Sequence, residues 1–570
     1  MDPLDRPVAP APPQGLTPPP PTNKKPTDKK PANSKLVGPR AFKLLWDAHS
    51  VTGIVIGLGL FVIFYAGAFA LYRGELHAWA DPAMRIAEVN VSVDAAVAPL
   101  LAERPPVVGS DISVNWQVRE RSYYYVRYET AVGDTTEIIA ATISPQTGEV
   151  ISEGNRGFRS DLSEILYKLH FFGQGGFWGE VVAGFVAVFF LFAVVSGILI
   201  HLRKLPKDWH TFRPRVKLRS ALADAHTVLG LIGLPFAAMY AISGAFLALL
   251  LILLAPTVIV VFGGDATKVD PLVNGYVMPE HELTGRPAEM LPFEAYLDHL
   301  PASWDEAGVK PTVVVIHGWG DEAAIAQVYG DATRSLTAGP QVIMRASTGE
   351  VLAQSNPTVG TALGGTTAAL VNLHYARMGP GTPIAKVLYF FLALATAAVI
   401  LTGNILWVLV RRPKDPRATP RLHRVLARLT VGVGCGLVAA VPVLFLTTAA
   451  LPIDLADLKA WENVALFGTW GVLVAAAFVG PSAVWAARWQ LALGGVLSLV
   501  VPLAGGALGG AWTWTSASLG LWGLVTVDVG FLLMGAALLW TAGRLKPDPL
   551  APALAGDGTA ADAPPSLVAS

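Results

Sequence analysis

Cysteine is almost absent from this sequence, which has a single one, Cys435, in 570 residues. One cysteine excludes an internal disulfide, an iron–sulfur cluster held by several thiolates, and covalent haem attachment at a C-x-x-C-H motif. Charge is also scarce, because Asp, Glu, Lys and Arg make up only 15% of the residues, whereas soluble domains carry roughly 25%. Any redox centre in this chain therefore needs ligands other than cysteine.

Motifs of the common hydrolases and nucleotide-dependent enzymes are missing as well. The sequence contains no H-E-x-x-H zinc motif, no phosphate-binding loop and no Ser-His-Asp pattern, so it gives no support to a hydrolase or an ATPase. The segment GVGCG, which begins at Gly432, lies within an apolar run. A dinucleotide-binding loop would instead follow a strand and open a helix.

Long apolar runs dominate what is present, and 53% of the residues are hydrophobic. Runs of about 20 apolar residues can cross a bilayer as helices, so we predict an all-α polytopic membrane protein with about eight transmembrane helices. The expected spans cover residues 50–72, 177–202, 227–262, 383–410, 428–452, 464–487, 491–512 and 518–542.

The distribution of basic residues predicts how the chain is oriented. Lys and Arg are concentrated before the first span and in the loops 203–219 and 411–428, which places these segments and both termini in the cytoplasm. The loops 80–165 and 263–375 then lie on the other side. Alternating apolar and polar residues in both loops predict two small α+β domains, each with a helix and a short antiparallel sheet.

A duplicated unit organises the first two thirds of the chain. Aligning His49 with His226 without gaps matches two Asp-Ala-His-x-Val-x-Gly segments, and Leu169-His170 recurs as Leu373-His374. This pattern predicts a helix, an outer domain and a helix, repeated in parallel about an axis along the membrane normal. The expected boundaries are a disordered tail at 1–40, repeat 1 at 41–205, repeat 2 at 220–412, a four-helix extension at 423–545 and a disordered tail at 546–570.

Four histidines occupy equivalent places in the two copies. His49 and His226 lie at the cytoplasmic ends of spans one and three, and His170 and His374 lie at the outer ends of spans two and four. A pseudo-twofold axis makes equivalent residues face each other, so each pair is placed to bind one haem iron axially. The alternatives are another metal or helix capping. His201 is the reserve ligand, because it lies at the same depth but occurs only once.

Several other residues are interpreted mainly as structural. His77 and His423 are not duplicated, and His423 is interpreted as a degenerate third copy. Asp528, within the last span, is assigned either to a proton or quinone site or to a hydrogen bond between helices. Arg377 is a possible partner for haem propionates. The remaining candidates for acceptor contact, for which packing is favoured, are Tyr123, Tyr124, Tyr125, His317 and Trp319.

The motifs DAHSVTG and DAHTVLG, the Leu-His pairs before glycine-rich bends and the two TGEV hairpins resemble the PepSY-associated transmembrane family, also called iron-regulated membrane proteins. The resemblance covers roughly residues 40–415. It implies two PepSY-like extracytoplasmic domains and two haem b groups, held by the four histidines with His201 in reserve. It also implies a place in the bacterial inner membrane and the reduction of ferric siderophores in the periplasm.

The same resemblance implies a membrane-bound ferric-siderophore reductase whose partners are the siderophore or another periplasmic acceptor and membrane lipid, with no nucleic acid. No flavin or nicotinamide module is recognisable, so the electron donor is expected to be a cytoplasmic reductase or a quinol. Two alternatives remain. One is a non-enzymatic protein that restrains a protease or senses an envelope signal; the other is a transporter that uses the repeat, with Asp528 as a coupling site.

Overall fold

The structure is a computed structural model that describes residues 38–545 apart from 87, 117–122, 155–157, 202–217, 280 and 412–419. Nearly all of the two predicted tails and most of the two basic loops lie outside the described residues. The described residues up to His201 form five α-helices: α1 Pro39–Ala70, α2 Arg73–Ala80, α3 Val93–Glu103, α4 Leu162–His170 and α5 Gly176–His201.

The described residues from 218 to 410 form the next group of helices. Its helices are α6 Leu218–Ile232, α7 Leu234–Phe262, α8 Asp270–Asn274, α9 Ala295–Asp298, α10 Ala302–Ala307, α11 Ala362–His374 and α12 Thr382–Val410. The C-terminal unit contains α13 Arg421–Leu429, α14 Gly436–Ala450, α15 Leu458–Asn463, α16 Thr469–Val479, α17 Ala483–Gly509, α18 Thr513–Ser518 and α19 Trp522–Arg544.

Seven helices among the described residues are long and apolar enough to span a membrane, compared with the eight spans predicted. The third predicted span, at 227–262, is not one straight helix. It bends by 69° between α6 and α7 at Gly233. Pro235 explains the break, because proline lacks the N–H that would continue the helix and its ring clashes with the preceding turn.

The last four predicted spans correspond to the C-terminal unit. A π-helical turn at Thr430–Cys435 joins α13 to α14, so the GVGCG segment is part of a helix, as its apolar surroundings suggest. A second π-helical turn at Val464–Gly468 joins α15 to α16. The unit packs against α1, α2, α4 and α12.

The two outer loops join into a single antiparallel sheet of eight strands. The strands are β1 Ile112–Asn115, β2 Tyr124–Val132, β3 Thr135–Ile143, β4 Val150–Glu153, β5 Val309–His317, β6 Ile325–Ala332, β7 Gln341–Arg345 and β8 Val351–Gln354. Their order, β4-β3-β2-β1-β5-β6-β7-β8, is symmetric about the contact between β1 and β5.

The β1–β5 contact was not anticipated from the sequence. Ile112 pairs with Ile316 and Asn115 with Val313, and both isoleucines are fully buried. One apolar core joins the six inner strands, β1–β3 and β5–β7, and includes Val97 of α3 and Trp304 of α10. The predicted TGEV hairpins are present as the β3–β4 and β7–β8 turns, where Gly148 and Gly349 have positive φ angles of 77° and 75°.

Candidate functional site

The four predicted histidines form two pairs, at opposite ends of the bundle made by α1, α5, α6, α7 and α12. We call His49 and His226 the inner pair and His170 and His374, at the end that leads into the sheet, the outer pair. The ring centres are 6.4 Å apart in the inner pair and 5.9 Å apart in the outer pair. Two imidazoles bound to one metal, each through a nitrogen at about 2.0–2.1 Å, have ring centres roughly 6 Å apart.

Hydrogen bonds at Nδ1 fix the orientation of the inner histidines. Nδ1 of His49 lies 2.9 Å from the carbonyl oxygen of Ala193, and Nδ1 of His226 lies 2.9 Å from that of Val399. A carbonyl only accepts, so each Nδ1 carries the proton and donates it. In a neutral imidazole, Nε2 then has the free lone pair that a metal requires.

The outer histidines reach the same protonation by two routes. His170 donates from Nδ1 to the carbonyl oxygen of Ile63 at 2.8 Å. His374 has Nδ1 2.9 Å from the hydroxyl of Ser243, which itself donates to the carbonyl of Met239 at 2.8 Å. Because a hydroxyl has a single proton, Ser243 accepts the bond from His374. All four Nε2 atoms are therefore available as ligands.

A glycine on a neighbouring helix lies against each of the four rings. A Cβ atom at Gly67 would be 2.5 Å from Nδ1 of His170, and one at Gly403 would be 2.9 Å from Cε1 of His226. A Cβ at Gly197 would be 3.3 Å from His49, and one at Gly244 would be 3.9 Å from His374. Real Cβ atoms almost never approach closer than 3.0 Å, so Gly67 and Gly403 are required by the present ring positions.

The outer histidines each lie at the C-terminal end of a helix. His170 is the last residue of α4 and His374 is the last residue of α11. Two residues later, Phe172 and Ala376 have left-handed φ angles of 58° and 54°, the only positive values among the described residues other than glycine. The glycine-rich bends that were predicted to break these helices do so at corresponding positions.

Each pair borders its own cavity. The inner cavity, of about 430 Å³, is lined by both inner histidines and by Gly53 and Gly230, the glycines that end the two Asp-Ala-His-x-Val-x-Gly segments. The outer cavity, of about 230 Å³, is lined by both outer histidines together with Tyr167, Tyr240 and Tyr375.

The buried side chains of Leu60 and Phe190 line both cavities, so the two are separated by a thin apolar wall. The histidine pairs themselves lie near opposite ends of the bundle. Gly67, which contacts His170, follows His49 by 18 residues on α1. At 1.5 Å per residue this is about 27 Å, close to the roughly 30 Å of a bilayer's hydrocarbon core. The distance along α1 between the levels of the two pairs is therefore close to the thickness of that core.

His201 lines the inner cavity but does not complete a metal cluster. Across the described residues, no three His, Cys, Asp or Glu side chains come together in a way that could hold a metal ion. The histidines therefore act as pairs. Two protein ligands suit a porphyrin, which brings four nitrogen ligands of its own, and the glycines provide space for its flat ring. The residues present thus fit a haem.

The other sequence candidates lie away from the two pairs. His77 is buried and stacks on Phe158, with ring centres 3.8 Å apart. His423 stacks on Trp407 at 5.8 Å. Asp528 is 1% exposed and accepts a hydrogen bond from Thr513, so the helix-to-helix contact expected as one alternative is present.

The remaining candidates mostly pack within the outer part of the molecule. Arg377 is exposed and lies over the ring of Tyr375. Tyr123 and Tyr124 are buried and Tyr125 is half-buried. His317 contacts Asp111 and Gln327, and Trp319 stacks on Phe293.

Sequence reasoning missed most of the support around the histidines. Gly67, Gly244, Gly197 and Gly403 were recognised only as matching positions of the repeat. That each matching glycine contacts a histidine follows from helix packing, which one sequence does not reveal. Ser243 gave no signal, because its counterpart at position 66 is alanine and its role depends on its distance from His374.

Comparison with known proteins identifies the region that contains both pairs. The family model of the PepSY-associated TM region matches residues 46–412. An uncharacterized protein of Pseudomonas aeruginosa is 29% identical over 413 residues, which cover 69% of this chain and 98% of that protein. About a third of this chain therefore has no counterpart in that relative.

Proposed function

This chain belongs to the PepSY-associated transmembrane family and is a multi-pass membrane protein; from that premise we propose that it holds one haem b between each histidine pair and passes electrons across a bacterial inner membrane. In this proposal His49 and His226 bind the haem nearer the cytoplasm, and His170 and His374 bind the one nearer the periplasm. Both termini are then cytoplasmic, and the sheet is the periplasmic acceptor side, made of two PepSY-like domains.

One observation carries the proposal: two imidazole pairs at ligand spacing, each with Nδ1 engaged and Nε2 free. Histidines that serve only as buried polar residues or helix caps have no reason to meet in pairs with this protonation. A haem held by such a histidine pair would supply a one-electron carrier, which suits electron transfer.

In this proposal the protein's own residues hold and orient the histidines and shield the two haem sites from water. Backbone carbonyls of α1, α5 and α12 keep three of the imidazoles in the required protonation state, and Ser243 does so for the fourth. The glycines keep the helices close to the rings. Apolar side chains around Phe64, including Phe190 and Phe236, fill the space between the two pairs and exclude water.

A ferric siderophore is the acceptor that we propose, which makes the chain a membrane-bound ferric-siderophore reductase for iron uptake. Ferric ion gains one electron and becomes ferrous. Hard oxygen ligands hold the more highly charged ion more strongly, so the siderophore then releases its iron. The electron donor is a cytoplasmic reductase or a membrane quinol.

The first experiment is an absorption spectrum of the detergent-purified protein before and after reduction, with haem measured by the pyridine haemochrome method. We expect sharp reduced b-type bands and about two haems per chain. His49→Ala and His170→Ala should each remove about one haem, whereas His281→Ala, in the outer domain, should remove none. A colourless protein from haem-replete cells would refute the electron-transfer function and favour a binding protein without haem.

The second experiment tests the acceptor. Protein reconstituted in vesicles and reduced beforehand is mixed with a ferric siderophore, and ferrous iron is captured by a coloured chelator. Chelate should form with the wild type and fall to the rate of empty vesicles with His170→Ala. Haem that stays reduced in the presence of the siderophore would assign a different acceptor.

A further inference from the structure

The C-terminal unit, α13–α19, makes a buried polar contact with the helix that carries His170. Glu462 of α15 has no exposed surface. Its carboxylate accepts hydrogen bonds from the Ser160 hydroxyl at 2.5 Å, the backbone N–H of Asp161 at 2.6 Å and the Thr448 hydroxyl at 2.9 Å. Burying a charge is costly unless donors satisfy it, so this contact has one well-defined geometry.

The contact lies at the beginning of α4. Ser160 and Asp161 are the two residues that precede the helix, and both are buried. The Ser160 hydroxyl, which donates to Glu462, also accepts from the backbone N–H of Leu162, the first residue of α4. A carboxylate at this end is favoured by the helix dipole. The C-terminal unit therefore holds the first turn of α4 through Glu462.

The other end of α4 bears the ligand. The helix has only nine residues, so His170 lies about 13 Å from its first turn at 1.5 Å per residue. Tyr167 of the same helix also lines the outer cavity. A short helix moves as one piece, so a shift of its first turn moves the imidazole relative to His374.

The partner ligand has no such contact. Helix α11, which carries His374, is capped by its own Thr361, whose hydroxyl accepts from the N–H of Gly364 and donates to carbonyls of residues 272 and 273. Among the described residues, the C-terminal unit packs against α4 and does not pack against α11. Control by the unit would therefore reach one histidine of the outer pair and leave the other in place.

We propose that Glu462 is a positioning residue for His170, and that the C-terminal unit uses it to set the redox equilibrium of the outer haem. The proposal rests on the haem function above. It assigns a role to the four-helix extension that lies beyond the family match. The unit also packs on α1 and α12, but at those helices its contacts are mainly apolar.

The test compares Glu462→Gln with the wild type. Glutamine keeps the size but removes the charge and leaves one oxygen to accept where the carboxylate has two, so we expect the hold on the first turn of α4 to weaken. We expect the redox equilibrium of the outer haem to change about tenfold, which is 59 mV for a one-electron couple, while that of the inner haem stays unchanged. Redox titration of His49→Ala and of His170→Ala, each of which should retain one haem, assigns each redox equilibrium to the inner or the outer haem.

Two further variants separate positioning from general destabilisation. Thr448→Val removes one donor to Glu462 and should shift the outer haem in the same direction by less. Arg428→Met is the matched control, because within the described part of the chain Arg428 donates to carbonyls of Ala477, Phe478 and Gly480, all inside the C-terminal unit. It should lower the melting temperature and leave both redox equilibria unchanged.

Hydrogen–deuterium exchange gives a readout that needs no haem. In Glu462→Gln, peptides covering 162–170 should exchange faster, and peptides covering 362–374 should not. If the protein has no haem, the function proposed above fails, while exchange still decides whether Glu462 holds α4. Equal shifts of both haems, a shift with Arg428→Met as large as with Glu462→Gln, or unchanged exchange in α4 would each overturn the positioning role.

Discussion

The inner and outer histidine pairs have nearly the same spacing but differ in what surrounds them. Both inner imidazoles donate to backbone carbonyls at matching positions of α5 and α12. In the outer pair, one imidazole donates to a carbonyl and the other to a serine hydroxyl. The inner cavity is nearly twice the volume of the outer one. The histidine positions thus match, whereas the groups around Nδ1 differ. His49 has the Ala193 carbonyl and, at 3.1 Å, the Ser196 hydroxyl, while His374 has only the Ser243 hydroxyl among the described residues.

The largest expected effect comes from adding one methyl group beside a histidine. Gly67→Ala places a Cβ 2.5 Å from Nδ1 and 2.7 Å from Cε1 of His170, so the ring or the helix has to move. We expect this variant to lose about one haem per chain, the outer one. Gly244→Ala, whose Cβ would lie at 3.9 Å from His374, should keep both.

The inner pair provides the same test on a finer scale. Gly403→Ala, at 2.9 Å from His226, should weaken haem binding more than Gly197→Ala, at 3.3 Å from His49. Haem content per chain and the reduced absorption bands measure both effects. If all four alanine variants bound two haems equally well, the glycines would have no role in fitting the helices around the ligands.

The next largest effect is expected for Ser243→Ala, which should alter the outer pair alone. The substitution leaves Nδ1 of His374 without its hydrogen-bond partner while removing only one oxygen atom. When a metal-bound histidine loses the hydrogen-bond partner of its other ring nitrogen, affinity for the metal typically falls 10–100-fold. We therefore expect the outer haem to dissociate faster and the inner one to be unaffected. The reverse variant, Ala66→Ser, introduces a hydroxyl at the corresponding position of α1. Like Ser243→Ala, it should leave the inner haem unaffected.

Acid should weaken the support of the outer pair through Glu164 of α4. Burial opposes ionisation of Glu164, but hydrogen bonds from His77 and Arg73 and the charge of Arg73 outweigh it and lower its pKa to about 2. The unfolded chain has a higher pKa for this group, so it binds a proton first as the pH falls. The stabilisation is complete above about pH 4.5 and is lost between that pH and about 2.

The measurement is the thermal midpoint of the wild type and of Glu164→Gln between pH 6 and pH 3. The wild type should be more stable at pH 6, by on the order of 2–3 kcal/mol, and the difference should shrink toward pH 3. Equal slopes for the two proteins would show that the Arg73–Glu164 ion pair contributes nothing to the stability of α4.

The smallest effect is expected for His201→Ala. His201 lines the inner cavity without joining the inner pair into a cluster of three ligands. The variant should retain about two haems and nearly the same spectrum. Loss of the inner haem would instead make His201 a ligand and would exclude the symmetric inner pair.

Sequence alone predicted the parts of the site that depend on local pattern. The Asp-Ala-His and Leu-His motifs, their order and the breaks after His170 and His374 are visible in the sequence, because helix ends and duplicated motifs are encoded over a few residues. Pairing across the axis followed from the repeat. The contacts that select the imidazole protonation state were not predictable, because they join residues more than 100 positions apart.

The same limit explains the differences in the fold. Alternation predicted the individual strands, but the joining of β1 to β5 depends on how two distant segments meet at their edges. The apolar run at 227–262 looked continuous, and Pro235 determines where it bends. Glu462 is one acid near the start of an apolar span, and only its distances to Ser160 and Asp161 reveal that it reaches the beginning of α4.

The wall formed by Leu60 and Phe190 has a consequence for the energy stored across the membrane. Electrons can tunnel through a layer of hydrocarbon side chains, whereas protons need a chain of water or polar groups to pass. A chain that moves electrons between the two surfaces while the wall stays dry would let no protons pass along the same path, so each electron would carry one charge across the membrane. If both side chains were reduced to alanine, the two cavities would merge, and the same protein would become a leak for the cell's proton motive force.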